Sequence, residues 1–313
     1  MRRAEFTFVA LVTALVLAEL ALQIPLGNNA LGKIFIVDLA DPACVRMWPG
    51  ASVLHTGIFE RIEPVRQTIN KYGYRGPARA TERNRGTLRL AVAGDSHSFG
   101  PGLAEGRTYP DLLEAELNKR LNRKVEVLNF GVPTMNLDNI AAALDLRILP
   151  YHPDAVLVQI CENDLEVSFC ELFGRVGRPW VFLARHSYLG RLAFVGVAMH
   201  RLPPPPSPEE ARAHFDSFLD HIRASTREAG AAVYLASLRV PLECGRSCVA
   251  EAAGRREIPY LPPPRGIFQH MEYDAHHFDP EGAALYAAYL ADRLVAEGFG
   301  DLGPEITGES VAP

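Results

Sequence analysis

Residues 88–96 read Leu-Arg-Leu-Ala-Val-Ala-Gly-Asp-Ser, and this stretch decides the fold of the 313-residue chain. Residues 88–93 are apolar apart from Arg89, which is the composition of a buried β-strand. The glycine and aspartate that follow are turn residues, so the strand is predicted to end there. In open α/β sheets, ligands bind just beyond the carboxyl ends of the strands. Ser96 is therefore predicted to lie at a ligand site.

The rest of the chain alternates further strand patterns with helical patterns. Predicted strands cover residues 125–128, 155–160 and 232–238, and predicted helices cover residues 109–121, 136–149, 208–228 and 280–297. Such alternation predicts parallel strands joined by helices that pack on both faces of the sheet. The expected fold class is α/β, a three-layer sandwich with a mostly parallel central sheet.

Polar residues follow the predicted strands and recur near the end of the chain. Asn129-Phe130-Gly131 follows the second strand, Cys161-Glu162-Asn163-Asp164 follows the third, and Asp274 and His277 lie three residues apart before the last helix. A serine hydroxyl is a weak nucleophile that needs a histidine to accept its proton and a third group to orient the imidazole. Ser96, His277 and Asp274 are therefore predicted to form an activated serine.

Each of these motifs also has a purely structural interpretation. Gly-Asp-Ser is a common exit from a strand, and Asn163 suits a turn at a strand end. Asp279 and Pro280 suit the N-cap and the first position of a helix. All the motifs occur in order at strand ends of one α/β pattern, and this order favours the catalytic interpretation.

Taken in order, the serine, glycine, asparagine and histidine resemble the SGNH hydrolases, also called the GDSL esterase/lipase family, over roughly residues 70–297. The resemblance implies a flavodoxin-like fold in which Ser96 attacks an ester carbonyl. It implies an oxyanion hole made by the backbone N–H groups of Ser96 and Gly131 and the side-chain amide of Asn163. It implies no metal or organic cofactor. The chain departs from the family at Cys161, where a glycine is usual.

The family pattern also distinguishes between the neighbouring histidines. It places the base two residues before the Asp-Pro-x-Gly helix start, which selects His277 with Asp274 as its partner. His276 is then expected to face solvent or the rim of the substrate site. Two interpretations of His97 stay open: a residue lining the acyl pocket, or a first-turn helix residue without a chemical role. Asp95 is expected to accept hydrogen bonds that stabilise the turn.

The amino terminus predicts a membrane anchor. Residues 6–24 are mostly apolar and long enough to cross a hydrocarbon core of about 30 Å as a helix. Arg2 and Arg3 precede them, so the positive-inside rule keeps the start in the cytoplasm and exports the rest to the bacterial periplasm. A cleaved signal peptide is the competing interpretation. Glu19, near the distal end, is expected to reach outward to the interface.

Composition narrows the class of protein. A net charge of −5 and a pI near 6.1 do not suit binding to nucleic acid, which needs a basic surface. Hydrophobic residues make up 48% of the chain, which is enough to form a core. Five cysteines are too few for a disulfide scaffold, although Cys244 and Cys248 can pair in an oxidising compartment. Their spacing is not diagnostic of zinc. Cys161 is expected to be a small buried residue, and Cys44 and Cys170 stay unassigned.

The predicted organisation is an anchor, a preamble, a core domain and a tail. The anchor is residues 1–25, and the preamble is residues 26–87, packed on the core. The core domain is residues 88–300, and the flexible tail is residues 301–313. Residues 165–207 directly follow Asn163 and form either a lid facing the membrane or a helix pair packed on the core. Residues 70–76 resemble a lead-in of membrane-anchored bacterial relatives. Arg75 is expected there to form a salt bridge to the core, and direct contact with substrate is the alternative.

The expected function is an exported serine hydrolase that cleaves O-acyl esters, with acetyl as the expected acyl group. Two alternatives stay open: transfer of the acetyl group to an envelope polysaccharide, and a non-catalytic envelope scaffold or complex subunit. The expected partners are an acylated small molecule or glycan and the inner membrane, which the N-terminal helix would enter. No recognisable pattern in the loops fixes this acyl group, and the sequence identifies no protein partner.

Overall fold

The structure is a computed structural model. It describes residues 13–19, 35–38, 40–55, 64–167, 169–177, 179, 182–183, 187–240, 242, 245–271 and 276–302. Within these ranges the chain forms one five-stranded sheet and two two-stranded sheets. The strands are β1 (Phe35–Val37), β2 (Val45–Met47), β3 (Ser52–His55), β4 (Val65–Thr68), β5 (Leu88–Gly94), β6 (Val125–Gly131), β7 (Ala155–Ile160), β8 (Ala232–Ser237) and β9 (Tyr260–Leu261).

The five-stranded sheet is parallel throughout, with strand order β6-β5-β7-β8-β9. Every residue of β5 and β7 is buried, as expected for strands covered on both faces. The register places Gly94 of β5 opposite Gly131 of β6. The turns that follow these two strands therefore meet at one edge of the sheet.

Helices cover both faces of this sheet. They are α1 (Ser96–Phe99), α2 (Tyr109–Arg120), α3 (Leu137–Ala143), α4 (Phe169–Val176), α5 (Tyr188–Met199), α6 (Pro208–Glu228), α7 (Arg246–Gly254) and α8 (Pro280–Ala296). Ala91 and Val156 face a core built with α3, α6 and α7, whereas Leu90 and Leu157 face a core built with α2 and α8. The predicted three-layer α/β sandwich is confirmed.

Local sequence explains where two of the flanking helices begin. Thr108 caps α2 and forms a reciprocal capping box with Asp111, which satisfies N–H groups that a helix start leaves unpaired. Asp279 caps α8 and accepts a hydrogen bond from the Gly282 N–H, and Pro280 occupies the first helical position. This last arrangement is the one predicted from the sequence.

Other boundaries differ from the predictions. The predicted helix 136–149 is α3 followed by a π-helical turn, Leu144–Ile148, and a 3₁₀ turn, Leu149–Tyr151. β9 and α7 were not predicted. β9 has two residues, which is too short to show periodicity, and α7 lacks a side-chain cap because Gly245 precedes it.

The preamble forms two antiparallel hairpins, β1 with β2 and β3 with β4. Cys44, Val45 and Met47 are buried in the same core as α3 and α6. Beyond β4, Arg75 forms isolated antiparallel bridges with Ile69 and with Asn129 of β6. This segment therefore lies along the β6 edge of the central sheet.

Of the predicted anchor, only residues 13–19 are described, and they are helical. Within the described ranges, no helix combines the length and the apolar character needed to cross a membrane. Glu19 was expected to reach outward to the interface. Its carboxylate instead accepts hydrogen bonds from Ser187 Oγ (2.8 Å) and the Leu189 N–H (3.1 Å), at the start of α5.

The segment predicted to be either a lid or a helix pair contains α4 and α5, which pack together through Val176, Phe194 and Ala198. The cysteines also differ from one another. Cys161 is free, whereas Cys44 and Cys248 are disulfide-bonded. Cys244, the predicted partner of Cys248, lies outside the described residues.

Candidate active site

The turn after β5 presents Ser96 at the first position of α1. Asp95 is the N-cap, and its Oδ1 accepts a hydrogen bond from the His97 N–H at 3.0 Å, which is the turn-stabilising role expected for it. A Cβ atom on Gly94 would lie 2.5 Å from Ser98 Oγ. The close approach of α1 to the end of β5 therefore requires glycine at this position.

His277 contacts the predicted nucleophile directly. Its Nε2 lies 2.9 Å from Ser96 Oγ, the distance of a hydrogen bond. His276 points elsewhere, because its Nδ1 lies 3.8 Å from Glu162 Oε1 and its side chain is 62% exposed. Of the two histidines, His277 is therefore the one that the geometry places within hydrogen-bond reach of Ser96. Asp274, its predicted partner, lies outside the described residues.

Gly131 packs against α1, but its N–H is already engaged. A Cβ atom on Gly131 would lie 2.5 Å from both Phe99 N and Ser98 Cβ, so only glycine fits. Its N–H donates a hydrogen bond to Asn129 Oδ1 at 3.0 Å. Binding of an oxyanion by this N–H would require that bond to be shared or broken, and the role of Gly131 as a donor stays a prediction.

Asn129, in β6, lies beside the candidate site, and no role for it was predicted from the sequence. Its side chain is buried, and its Nδ2 donates to the Ser98 carbonyl at 2.8 Å while its Oδ1 accepts from Gly131. One amide thus joins the carboxyl end of β6 to α1. A buried amide with both ends paired contributes to order because either unpaired group would carry a desolvation cost.

Asn163 lies in the turn after β7, where its side chain contacts Cys161. The thiol of Cys161 lies 2.5 Å from Asn163 Oδ1 and 3.0 Å from Asp95 Oδ2. Burial, followed by the charges of Asp164 and Asp95, raises the pKa of the Cys161 thiol. The thiol therefore stays neutral. Cys161 is buried as predicted, but its thiol makes polar contacts that a purely apolar role would lack.

Asp164 is fully buried beneath this turn. Its Oδ2 accepts a hydrogen bond from the Cys161 N–H at 2.7 Å, and its carbonyl accepts one from the Leu137 N–H at 3.0 Å. Burial, followed by the charge of Asp95, holds the pKa of Asp164 well above its usual range. Asp164 therefore fixes the turn that carries Asn163 and ties it to α3.

Three side chains near Ser96 bear atoms that bind metals. Donor atoms of Asp95, His97 and Cys161, all buried, lie within 4.8 Å of one another. Asp95 Oδ1 already accepts from the His97 N–H, and Asp95 Oδ2 lies 3.3 Å from Ser96 Oγ. Metal binding by Asp95 would compete with these hydrogen bonds, and the cluster is explained by the packing of the nucleophile turn.

Aromatic rings pack beside the pair formed by Ser96 and His277. The ring of His97 is 5% exposed and lies 5.4 Å from that of His277 and 6.3 Å from that of Phe278. Behind them, the hydroxyl of Tyr109 lies 2.8 Å from Ser98 Oγ. His97 therefore packs beside His277, and its role in lining an acyl pocket stays a prediction.

A groove of about 760 Å³ lies beside the turn that follows β7. Its lining includes Glu162, which precedes Asn163, and residues 165–167. Leu202 and residues 203–206, the four consecutive prolines between α5 and α6, also line it. The segment predicted to lie near the site mouth thus lines a cavity that adjoins the site.

No family model matches the chain, and no curated protein matches it closely enough to count as a relative. Solved structures that it resembles include the esterase EstA from Pseudoalteromonas sp. (13% identity, 67% of this chain and 97% of that one, TM-score 0.45). Others are a lipase/acylhydrolase from Enterococcus faecalis (15%, 70% and 98%, TM-score 0.46) and AlinE4, an SGNH-hydrolase family esterase (18%, 57% and 77%, TM-score 0.37). Identities this low concern the fold alone, and the chemistry rests on the chain's own residues.

Proposed function

We propose that this chain is a serine hydrolase of the SGNH type that cleaves carboxylic esters through an acyl-serine intermediate. The observation that carries the proposal is the 2.9 Å contact between His277 Nε2 and Ser96 Oγ. A histidine in this position accepts the serine proton as the hydroxyl attacks, which is the activation that serine requires. The order of motifs along the sequence supports the same family.

In the proposed reaction, Ser96 Oγ bonds to the ester carbonyl carbon while His277 takes the hydroxyl proton. The carbonyl oxygen becomes an oxyanion, which we assign to the Ser96 N–H, the Gly131 N–H and the Asn163 amide. His277 returns the proton to the departing alcohol, leaving an acyl-serine. Water then bonds to the acyl carbon while giving a proton to His277. The bond between the acyl carbon and Ser96 Oγ breaks, His277 returns the proton to Ser96 Oγ, and the acid leaves. Asp274 is assigned to orient the imidazole throughout.

The decisive experiment is covalent labelling of the purified chain with a fluorophosphonate, alongside hydrolysis of p-nitrophenyl acetate. Labelling of the wild type and its loss in Ser96→Ala would establish an activated serine. A folded wild type that neither labels nor hydrolyses the ester would support the non-catalytic scaffold instead. Products formed with and without a glycan acceptor would separate hydrolysis from acetyl transfer.

We further propose that the preferred acyl group is acetyl. The buried rings of His97 and Phe278 crowd the inner side of the catalytic pair, which supports a short acyl group. Rates with p-nitrophenyl acetate, butyrate and octanoate test this proposal. Faster hydrolysis of the octanoate would place a long chain in the groove that Glu162 and Leu202 line.

We also propose that the domain is exported and held at the inner membrane by residues 1–25. Arg2 and Arg3 before an apolar stretch support this orientation. The disulfide-bonded states of Cys44 and Cys248 suit an oxidising compartment. A phosphatase fused after residue 313 should be active in the periplasm and stay in the membrane pellet after a salt wash. Reporter activity in the cytoplasm would overturn the proposed topology.

A further inference from the structure

Arg75, in the segment between the preamble hairpins and β5, is buried against the nucleophile turn. Its side chain is fully inaccessible to solvent. Its guanidinium donates hydrogen bonds to the carbonyls of Phe99 (2.7 Å) and Gly100 (2.5 Å), and also to that of Leu103. These carbonyls belong to the end of α1 and to the loop that follows it.

The carbonyls that Arg75 binds are ones that α1 cannot satisfy by itself. A helix of four residues leaves its last C=O groups without partners inside the helix. α1 ends at Gly100, which adopts φ 75° and donates its N–H back to the Ser96 carbonyl. The guanidinium of Arg75 lies 4.9 Å from the centre of the Phe99 ring, so the same cation contacts both the backbone and the side chain of the last turn.

Two further side chains contact α1 and the loop that follows it. Gln67, fully buried, directs its Nε2 toward the Gly100 carbonyl at 3.4 Å. Asn129 binds the Ser98 carbonyl from the other side, and its backbone pairs with that of Arg75. The segment that carries Arg75 is thus attached both to the β6 edge and to the nucleophile helix.

Charge compensation does not explain why Arg75 is buried. The nearest carboxylate is that of Glu105, whose oxygen lies 3.8 Å from Nη2 and whose side chain is 40% exposed. Burial lowers the pKa of Arg75, and a buried cation is tolerated only when its donors are hydrogen-bonded. The predicted salt bridge to the core is present, to Glu105, but the principal partners of Arg75 are backbone carbonyls.

We propose that Arg75 is a positioning residue for the nucleophile, which holds α1 so that Ser96 faces His277. This inference rests on the proposed function. Arginine suits the task because its planar fork supplies several donors in fixed directions, whereas lysine offers one mobile ammonium group. Loss of the fork would remove the guanidinium donors from the carbonyls of Phe99 and Gly100 and free α1 to shift. The Gly100 carbonyl would keep only the longer contacts from the Leu103 N–H (3.3 Å) and Gln67 Nε2 (3.4 Å).

The test compares Arg75→Ala with Arg79→Ala in the full chain. Arg79 lies in the same segment and pairs with Glu114 and Glu126, so its removal likewise takes a guanidinium from its partners, but away from α1. Arg75→Ala should lower kcat for p-nitrophenyl acetate by about 10- to 100-fold, since displacements near 1 Å cost about that much. KM should stay within about threefold, because substrate binding is not the interaction removed. Arg79→Ala should keep the wild-type kcat.

Chemical rescue separates positioning from general destabilisation. Millimolar guanidinium should restore part of kcat in Arg75→Ala by occupying the vacated cavity, and should have no such effect on Arg79→Ala or Ser96→Ala. An unchanged kcat in Arg75→Ala, or a loss that guanidinium does not restore, would overturn the proposal.

A second measurement keeps the inference testable if one variant or the proposed function fails. Amide hydrogen exchange over residues 97–103 should quicken in Arg75→Ala and not in Arg79→Ala. If the wild type hydrolyses no ester, the proposed function fails and this exchange alone decides on Arg75. If Arg75→Ala does not fold, Arg75→Lys replaces it, and wild-type exchange together with wild-type kcat in that variant would refute the role.

Discussion

His277 Nε2 lies 2.9 Å from Ser96 Oγ, although 181 positions separate the two residues in the sequence. Ser96 follows β5, the second strand of the sheet, and His277 lies just before α8, which packs on α2. The two side chains meet because the fold places the start of α8 next to the carboxyl end of β5. The contact depends on the whole domain and on no local motif.

Replacement of the nucleophile gives the first prediction. Ser96→Ala should reduce kcat for p-nitrophenyl acetate by at least about 10³-fold, because removal of a catalytic serine leaves only binding and oxyanion stabilisation. Its thermal unfolding should match that of the wild type, since the hydroxyl is not part of the core. Turnover near the wild-type rate would refute the assignment of Ser96.

The histidine pair gives the second prediction. His277→Ala should lose most of the activity, because it removes the group within hydrogen-bond reach of Ser96. His276→Ala serves as the matched control and should retain much of the activity, since that side chain is exposed and faces Glu162. The two rates are compared on the same ester. If the larger loss fell on His276, the base would have to be reassigned.

The third prediction concerns the oxyanion. Asn163→Ala should lower kcat by about 10²- to 10³-fold with little change in KM, because the amide acts on charge that develops in the transition state. Asn136→Ala is the control: Asn136 caps α3 and donates to the Glu166 carbonyl. That control should cost about 1 kcal/mol of stability and leave kcat intact. Equal kcat losses in both variants would argue against a specific role for Asn163.

The fourth prediction follows from the raised pKa of Asp164. The folded chain binds this proton more tightly than the unfolded chain, so the resulting stability is fully present below the unfolded pKa of about 3.9. It is lost as the pH rises through the higher folded pKa. Asp164→Asn cannot ionise and should escape this loss, while its side-chain oxygen can still accept from the Cys161 N–H.

The free energy of unfolding, measured in urea from pH 4 to neutral pH, tests this prediction. The wild type should lose stability relative to Asp164→Asn as the pH rises, by about 1.4 kcal/mol for each unit by which folding raises the pKa. A difference between the two proteins that stays constant with pH would show that Asp164 titrates alike in both states.

The strands and several helix boundaries were predictable because their signals are local. The strand at 155–160 and the helix at 208–228 agree with β7 and α6 residue for residue. Each is an apolar or amphipathic run that turn residues or a capping box delimit, so neighbouring residues contain the information. β9 escaped prediction because two residues cannot display a period, and its pairing with β8 depends on a distant strand.

The sequence by itself predicted the longer strands of the central sheet, the cap of α8, and Ser96 and His277 as candidate site residues. Only the tertiary structure decided that His277 Nε2 reaches Ser96 Oγ, that Asn129 engages the Gly131 N–H, and that Arg75 binds mainly backbone carbonyls. The physical reason is that all backbone carbonyls are chemically alike in a sequence. Which of them lack a partner depends on where helices end and on how distant strands are aligned, and those relationships exist only in the folded chain.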